Sequence, residues 1–271
     1  MPSTRLVLIA LLLILLPYAA ATQIPTGGSS ETARRLFEEM ALEGRLQEPV
    51  REMHLQLIHN PFGLPPDRNE RLTALFEQAF AKDSLLADAQ MAFHRQYNAS
   101  LGDAALQQIT GDTLRQVLDS EQQFYTLQGL RERVVRRYEL EQNPPPENRI
   151  NLVQSVAEHK ESVASRLETE VEIYRAIVSA LGELSGRQSF TETQIDGIVS
   201  GYRNQIQPHV EQQVTSQMLL MYHGLDEGVL NRYRAFYASE TGNWLGKATS
   251  GSIHAAYREA TSRFLQSVRN L

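Results

Sequence analysis

The spacing of apolar residues constrains the fold of this chain more than any other feature of its sequence. Apolar side chains recur every three or four positions over long segments, which places them on one face of an α-helix. One such series reads Ile195, Ile198, Val199, Tyr202, Ile206, Val210, Val214, Met218 and Tyr222. No segment shows the alternation of apolar and polar residues, bounded by turn residues, that a half-buried strand requires. The sequence therefore predicts an all-α, multi-helix bundle.

Proline and capping residues give the predicted helix boundaries in the first part of the chain. A helix over residues 36–57 is expected to kink or restart at Pro49, because proline lacks the donor that the preceding turn needs. Asp67, with Glu70 three residues later, approximates a capping box. That box predicts the start of a helix whose apolar face continues to about residue 97.

The same signals divide the rest of the chain. A helix is expected after Leu101, with a break at residues 110–112 and a further helix to about residue 140. In the second part, apolar spacing predicts one long amphipathic helix over residues 152–181. The sequence Thr-Glu-Thr-Gln at residues 191–194 forms a capping box, which predicts the start of the next helix.

Three consecutive prolines at residues 144–146 cannot be helical and divide the chain into two halves. We therefore predict a first helical half at residues 31–142, a Pro-rich linker at residues 143–149 and a second helical half at residues 150–271. A flexible leader at residues 22–30, rich in Gly and Ser, is expected to precede the first half.

Residues 1–21 are typical of a secretory signal peptide. Arg5 gives one positive charge, residues 6–16 are almost wholly aliphatic, and a small-x-small site ends at Ala21. We expect cleavage after Ala21, export to the periplasm and no transmembrane helix in the mature chain, since a spanning helix needs about 20 apolar residues. An uncleaved membrane anchor is the alternative. The chain has no Cys, so disulfides do not support the fold.

The charge of the chain argues against nucleic-acid binding. The formal net charge is −6, whereas a nucleic-acid-binding protein should present a basic face. One segment, residues 131–141, does concentrate arginines, but glutamates are interleaved with them. The arginines are Arg131, Arg133, Arg136 and Arg137, and the glutamates are Glu132, Glu139 and Glu141. We interpret this segment as a solvated helix face rather than an anion site.

Two short segments of similar sequence suggest an internal repeat. In each, a Leu precedes a residue that can cap a helix, Gly102 or Asp226, and an acidic residue follows. A second Leu in each segment stands where it can contact the first as a hydrophobic staple. An alternative register pairs residues 117–125 with residues 229–237, and it preserves more letters but no cap. We predict two degenerate helical repeats.

A resemblance to a known family rests on the segment around Asp226. The matching residues are Leu225, Asp226, Leu230, Phe236, Tyr237, Ser239 and Gly242. Their pattern resembles a bacterial exported family, domain of unknown function 2059, with its motif Leu-Ser-Asp-x-Glu-Leu … Phe-Tyr-x-Ser-Pro-x-Gly. Here Glu240 stands in place of the proline and Val229 in place of an acid. The resemblance, clearest at the C-terminal end, implies a periplasmic all-α protein and brings no activity, cofactor or catalytic residue.

The sequence carries no recognisable catalytic or metal-binding motif. The seven His residues lack the His-Glu-x-x-His spacing of a zinc site, and no Gly-x-Ser-x-Gly elbow is present. We therefore expect no enzymatic activity, no cofactor and no metal. Carboxylates are plentiful on the predicted helices, so an envelope hydrolase with a carboxylate pair is kept as a lesser alternative.

Aromatic residues concentrate near the turn predicted at Ser239. Tyr222, Tyr233, Tyr237 and Trp244 are either core residues between helices or the lining of a groove, and they are the candidates for contact with a ligand or partner. The main hypothesis is a non-catalytic binding or envelope-assembly protein with an unknown protein or cell-envelope partner. A carrier of an apolar or lipid ligand, held between the two halves, is the alternative.

Overall fold

Helices account for all the regular secondary structure in the computed structural model, which describes residues 27–184 and 190–270. The all-α, multi-helix prediction is confirmed for these residues. The twelve helices are α1 (Gly27–Glu39), α2 (Glu43–Ile58), α3 (Pro66–Ala79), α4 (Lys82–Arg95), α5 (Ala99–Ile109), α6 (Asp112–Phe124), α7 (Leu127–Gln142), α8 (Glu147–His159), α9 (Ser162–Leu184), α10 (Glu192–Met221), α11 (Glu227–Ala238) and α12 (Glu240–Arg269). The predicted signal peptide lies outside the described residues.

Helix α12 is the element around which many of the others pack. Over its 30 residues it contacts α3, α4, α5, α9 and α11. Small buried residues along it, including Gly246, Ala248 and Ala256, let the neighbouring helices approach closely. Phe264 packs edge-on against Phe76 of α3, with the ring centroids 5.9 Å apart. One continuous core therefore joins the two predicted halves.

The break between α1 and α2 does not fall at Pro49, so the predicted restart at that residue is wrong, and a kink there stays a prediction. Pro49 lies inside α2. The chain turns instead at Ala41, whose φ of 44° is in the left-handed region. The turn keeps both Met40 and Leu42 in the core, whereas Pro49 removes only one backbone hydrogen bond from α2. Burial on both sides of the turn therefore decides where the helix ends.

Two predictions for α3 and α4 are also wrong. Asp67 is not the N-cap, because α3 begins one residue earlier at Pro66, whose fixed φ suits the first helical position. The helix predicted to continue to about residue 97 is divided at Phe80 into α3 and α4. The interruption allows both Phe80 and Leu85 to be fully buried.

The single helix predicted over residues 152–181 is likewise two helices, α8 and α9. Lys160 and Glu161 separate them, and Glu161 adopts a φ of 55°. Apolar spacing could not show this break, because Val156, Lys160 and Val163 keep the spacing of one helix face across it. The break places a lysine at the end of α8.

Two segments predicted as non-helical are shorter in the structure. Helix α1 begins at Gly27, inside the predicted leader at residues 22–30. Helix α8 begins at Glu147, inside the predicted linker at residues 143–149. The proline run ends at residue 146, and an acidic residue directly after it suits the positive end of a helix. The linker is therefore shorter than predicted, and it ends with the last proline.

The caps predicted in the second half are confirmed. Thr191 and Gln194 form a reciprocal capping box at the start of α10. Asp226 caps α11 by accepting from the backbone N–H two residues later. Ser239 ends α11 and caps α12 by accepting from the N–H of Gly242.

The cap predicted at Gly102 is wrong. Asn98 caps α5, because its side chain can accept from the N–H of Leu101, at 3.2 Å, and glycine has no such acceptor. Gly102 lies inside α5 against the ring of Tyr97. A Cβ at residue 102 would lie 2.3 Å from that ring, so the glycine serves close packing.

The turn after α6 resembles the turn after α11, but the two turns lie one residue out of step with the alternative repeat register. The Thr126 hydroxyl accepts from the N–H of Gly129 at 3.1 Å and donates to the Gln123 carbonyl at 2.8 Å. Ser239 makes the same two bonds, with the Gly242 N–H at 3.2 Å and with the carbonyl three residues before it at 2.6 Å. The α6–α7 and α11–α12 turns therefore share one geometry. The two degenerate repeats stay a prediction.

We expect Gly242→Ala to destabilise the protein by about 1–3 kcal/mol, because the added Cβ would lie 2.0 Å from the Phe236 carbonyl oxygen, a backbone atom that cannot easily move. Gly197→Ala in α10 is the matched control, since open space surrounds that site and alanine there should add roughly 0.5–1 kcal/mol. Urea denaturation followed by circular dichroism measures both. Equal effects of the two substitutions would contradict the close packing at Gly242.

Candidate functional site

A buried ion pair between Glu121 and Lys160 joins four segments of the chain. Glu121 lies on α6, Lys160 follows α8, Tyr222 follows α10, and Tyr233 lies on α11. Lys160 Nζ donates to both carboxylate oxygens of Glu121, at 2.5 Å to Oε2, and to the Tyr233 hydroxyl at 2.9 Å. The Tyr222 and Tyr233 hydroxyls donate to Glu121 Oε1 at 2.6 and 2.8 Å. We call these four residues the Glu121 cluster.

Burial and hydrogen bonding oppose each other in the Glu121 cluster. Burial acts to raise the pKa of Glu121, but the Lys160 charge and the hydrogen bonds to the carboxylate outweigh it, so this pKa lies below its usual value. Burial lowers the pKa of Lys160 to about 8, and Glu121 offsets that effect only in part. Burial also raises the pKa of Tyr222 and Tyr233, which keeps both hydroxyls protonated as donors. Both ions are therefore charged at neutral pH.

The break between α8 and α9 positions Lys160. Its place at the C-terminal end of α8 suits a cation, because the helix dipole is negative there. Its Nζ also lies 5.3 Å from the centroid of the Tyr233 ring and 5.7 Å from that of Tyr237. Aromatic faces attract a cation at such distances. The tyrosines thus provide both hydroxyls and ring faces around one charge.

The structure places the four predicted site residues in two separate regions. Tyr222, Tyr233 and Tyr237 are fully buried between helices, and the first two meet at Glu121. Trp244 is half-buried and packs against Phe93 of α4, with ring centroids 6.2 Å apart. It lines an open cleft at the start of α12 rather than a groove shared with the tyrosines. Core packing accounts for the three tyrosines.

Glu121 and Lys160 were absent from the sequence-based candidates, although the sequence carries a signal for each. Glu121 stands on the apolar face of α6, three residues after Leu118 and three before Phe124. Lys160 stands on the apolar face that continues from α8 into α9. A single charge on an otherwise apolar helix face indicates a buried charge, and two of opposite sign indicate a pair.

A second charge cluster surrounds Arg166 of α9. Its guanidinium pairs with Glu170 at 2.5 Å, with Glu48 at 3.7 Å and with Glu52. Arg133 of α7 also pairs with Glu48, at 3.2 Å. Burial raises the pKa of Glu52, and Glu48 and Glu170 add to this effect against the attraction of Arg166. This cluster ties α2, α7 and α9 together.

A cavity of about 80 Å³ lies between the two charge clusters. Its polar wall includes Arg45, Glu48, Glu121, Lys160, Ser165, Arg166 and Thr169, and its apolar wall includes Met40, Val214, Met218, Met221 and Ile253. Cavities of this size exceed what one water molecule needs and admit several waters or a small solute. The cavity is a partly open space, and residues of both charge clusters line it.

Helix α7 presents the largest concentration of exposed apolar side chains in the described part of the chain. Leu127, Val134, Val135 and Tyr138 are 79%, 73%, 58% and 64% exposed. Their spacing places them side by side along one side of the helix. We call these four residues the α7 stripe. Gly129 is the only buried residue of α7.

No protein-family model matches the chain, and no curated protein or solved structure does either. The family resemblance of the C-terminal segment therefore stays a prediction. None of the described helices combines the length and the apolar character needed to cross a membrane. Within residues 27–184 and 190–270, no group of three His, Asp or Glu side chains is placed to hold a metal ion.

We expect Glu121→Gln to destabilise the protein by about 3–5 kcal/mol, because it leaves the Lys160 charge buried without a counter-ion. The double variant Glu121→Gln/Lys160→Met removes both charges and keeps an oxygen that can accept from the two tyrosines. It should recover most of the lost stability in urea denaturation. A double variant no more stable than Glu121→Gln alone would show that the unpaired Lys160 charge does not cause the loss of stability.

Acidification should weaken the Glu121 cluster. Because the pKa of Glu121 is below its ordinary value of 4.5, the unfolded chain takes up this proton first as the pH falls. The stability that the carboxylate contributes is present above pH 4.5 and is lost as the pH falls through the lowered pKa. The free energy of unfolding of the wild type should therefore drop more steeply below pH 4.5 than that of Glu121→Gln/Lys160→Met. Parallel profiles would contradict the lowered pKa.

Proposed function

We propose that this chain is a non-catalytic, periplasmic binding protein that docks a protein partner on the α7 stripe. The observation that carries the proposal is the exposure of four large apolar side chains on a helix with one buried residue. Contiguous exposed apolar surface is typical of a protein interaction site. Tyrosine and arginine, both present on this helix, are among the residues enriched where partners bind.

The inner side of α7 supports a rigid docking surface. Arg133 pairs with Glu48 and lies 4.2 Å from the centroid of the Phe124 ring. Arg136 donates to the Leu220 carbonyl of α10 at 3.5 Å, and Gly129 packs against the preceding turn. These contacts fix the orientation of the helix. The α7 stripe therefore faces solvent, while the opposite side of the same helix contacts the rest of the protein.

The charges beside the stripe favour a partner with acidic and apolar side chains. Arg131 lies among the stripe residues, and Arg137 lies at the edge; both are exposed. Neither has an ion pair within the described part of the chain. Arginines without a counter-ion at the rim of an apolar surface attract carboxylates and speed association. The partner we propose is thus a protein segment that combines apolar residues with Asp or Glu.

The Glu121 cluster supports a non-catalytic role. All three ammonium protons of Lys160 have acceptors inside the cluster, and Glu121 accepts from two tyrosines as well. Groups that satisfy one another's hydrogen bonding and charge in this way have a structural role. They leave no free nucleophile or base at this pair. The apolar-ligand carrier and the envelope hydrolase stay predictions from the sequence.

A photoreactive residue in place of Val135 tests the docking surface in cells. We expect a crosslinked partner protein in the periplasmic fraction, because the stripe is the contact surface. The same photoreactive residue at Gln205, an exposed position on α10, is the control and should give no such product.

Adding Val134→Asp and Tyr138→Asp to the Val135 probe should abolish the crosslink. Both side chains are largely exposed, so stability should change by no more than about 0.5 kcal/mol per substitution. Identical products from the Val135 and Gln205 probes, or a crosslink that survives both substitutions, would contradict the proposal.

A further inference from the structure

We propose that the cavity beside the Glu121 cluster binds a small organic carboxylate, with Arg45 as its charged contact. This binding site is distinct from the α7 stripe and does not depend on partner docking. The proposal rests on the charge balance of the cavity wall, on two buried hydroxyls, on the helix ends that meet there and on the apolar part of the wall.

The cavity wall carries three cations and two carboxylates, and one of the cations has no paired carboxylate. Lys160 is paired with Glu121, and Arg166 is paired with Glu48 and with further glutamates outside the wall. Arg45, which is half-buried on α2, has no ion pair and no side-chain hydrogen bond among the described residues. The charge of Arg45 acts on Lys160, since it helps to lower the pKa of that lysine. A half-buried guanidinium without a partner is suited to bind an anion.

Two hydroxyls on the cavity wall are also without partners. Ser165 and Thr169, one turn apart on α9, are only 6% and 2% exposed. Neither side chain has a hydrogen bond within residues 27–184 and 190–270, and both residues line the cavity. Both hydroxyls can donate to an oxygen in the cavity. Together with Arg45, they form a set of donors from two different helices.

The backbone around the cavity favours negative charge. Helices α2 and α9 begin beside it, and each follows a residue in the left-handed region, Ala41 or Glu161. Residues of their first turns, Arg45 and Ser162, line the cavity. The N–H groups at the start of a helix and the positive end of its dipole attract anions. The strained turns bring both positive ends to the same cavity.

The apolar part of the cavity wall favours an organic anion over an inorganic one. Met40, Met218, Met221, Val214 and Ile253 face the same space as the donors. A carboxylate attached to a short hydrocarbon chain meets both parts of the wall, whereas inorganic phosphate would leave the apolar part without a contact. Flexible methionines also adapt to small differences in ligand shape. The volume of about 80 Å³ suits a ligand of a few heavy atoms.

Isothermal titration calorimetry of the purified protein tests the site, with acetate, propionate and inorganic phosphate at constant ionic strength. We expect saturable binding of propionate that is tighter than that of acetate or phosphate. Arg45→Gln should weaken propionate binding about 10- to 100-fold, because a charge-assisted hydrogen bond is lost. Arg51→Gln is the matched control, since Arg51 is an exposed arginine on the same helix, and its affinity should equal that of the wild type.

Thr169→Val provides a second variant that keeps the shape of the side chain. It should weaken propionate binding about 3- to 10-fold through loss of one neutral hydrogen bond, even if Arg45→Gln does not fold. Three results would overturn the proposal: no binding of propionate to the wild type, binding of phosphate in preference to propionate, or affinity unchanged in both Arg45→Gln and Thr169→Val.

Discussion

The pairing of Glu121 with Lys160 is the interaction on which the rest of the structure depends. Four separate segments of the chain must meet for either charge to be satisfied, and a buried charge without its partner costs far more than the pair contributes. Such a pair specifies an arrangement more than it adds stability. Because Tyr222 and Tyr233 complete the hydrogen bonding, the end of α10 and the middle of α11 have one position relative to α6. The pair therefore selects one packing of these helices.

The same pair determines where both proposed binding surfaces lie. Lys160 occupies the break after α8, so α9 begins there and its first turn becomes part of the cavity wall. Glu121 is near the end of α6, and the Thr126 cap then turns the chain into α7. A structural interaction in the interior thus sets the position of the arginine-lined cavity and of the apolar stripe. The two surfaces remain separate, because none of the four stripe residues lines the cavity.

The sequence predicts much of the fold because helix faces and caps are local. The spacing of apolar residues identifies where helices exist, and hydroxyl or carboxylate caps identify the starts of α10, α11 and α12. The spacing of apolar residues does not predict the breaks at Ala41, Phe80 and Lys160, because burial on both sides of each break decides its position. No glycine or proline lies at any of the three. The sequence indicates the Glu121 cluster only in part. Each charge interrupts an apolar face, but its partner is 39 residues away and only packing brings the two together.

The central position of α12 has a consequence for the order of folding. Helices α3, α4 and α5 pack against α12, which follows them far along the chain. Contacts so distant in sequence form only after a large loop closes, which slows folding. The early helices therefore keep apolar surface open until the last helix arrives. Apolar surface that stays open in this way makes the partly folded chain prone to aggregation during that interval.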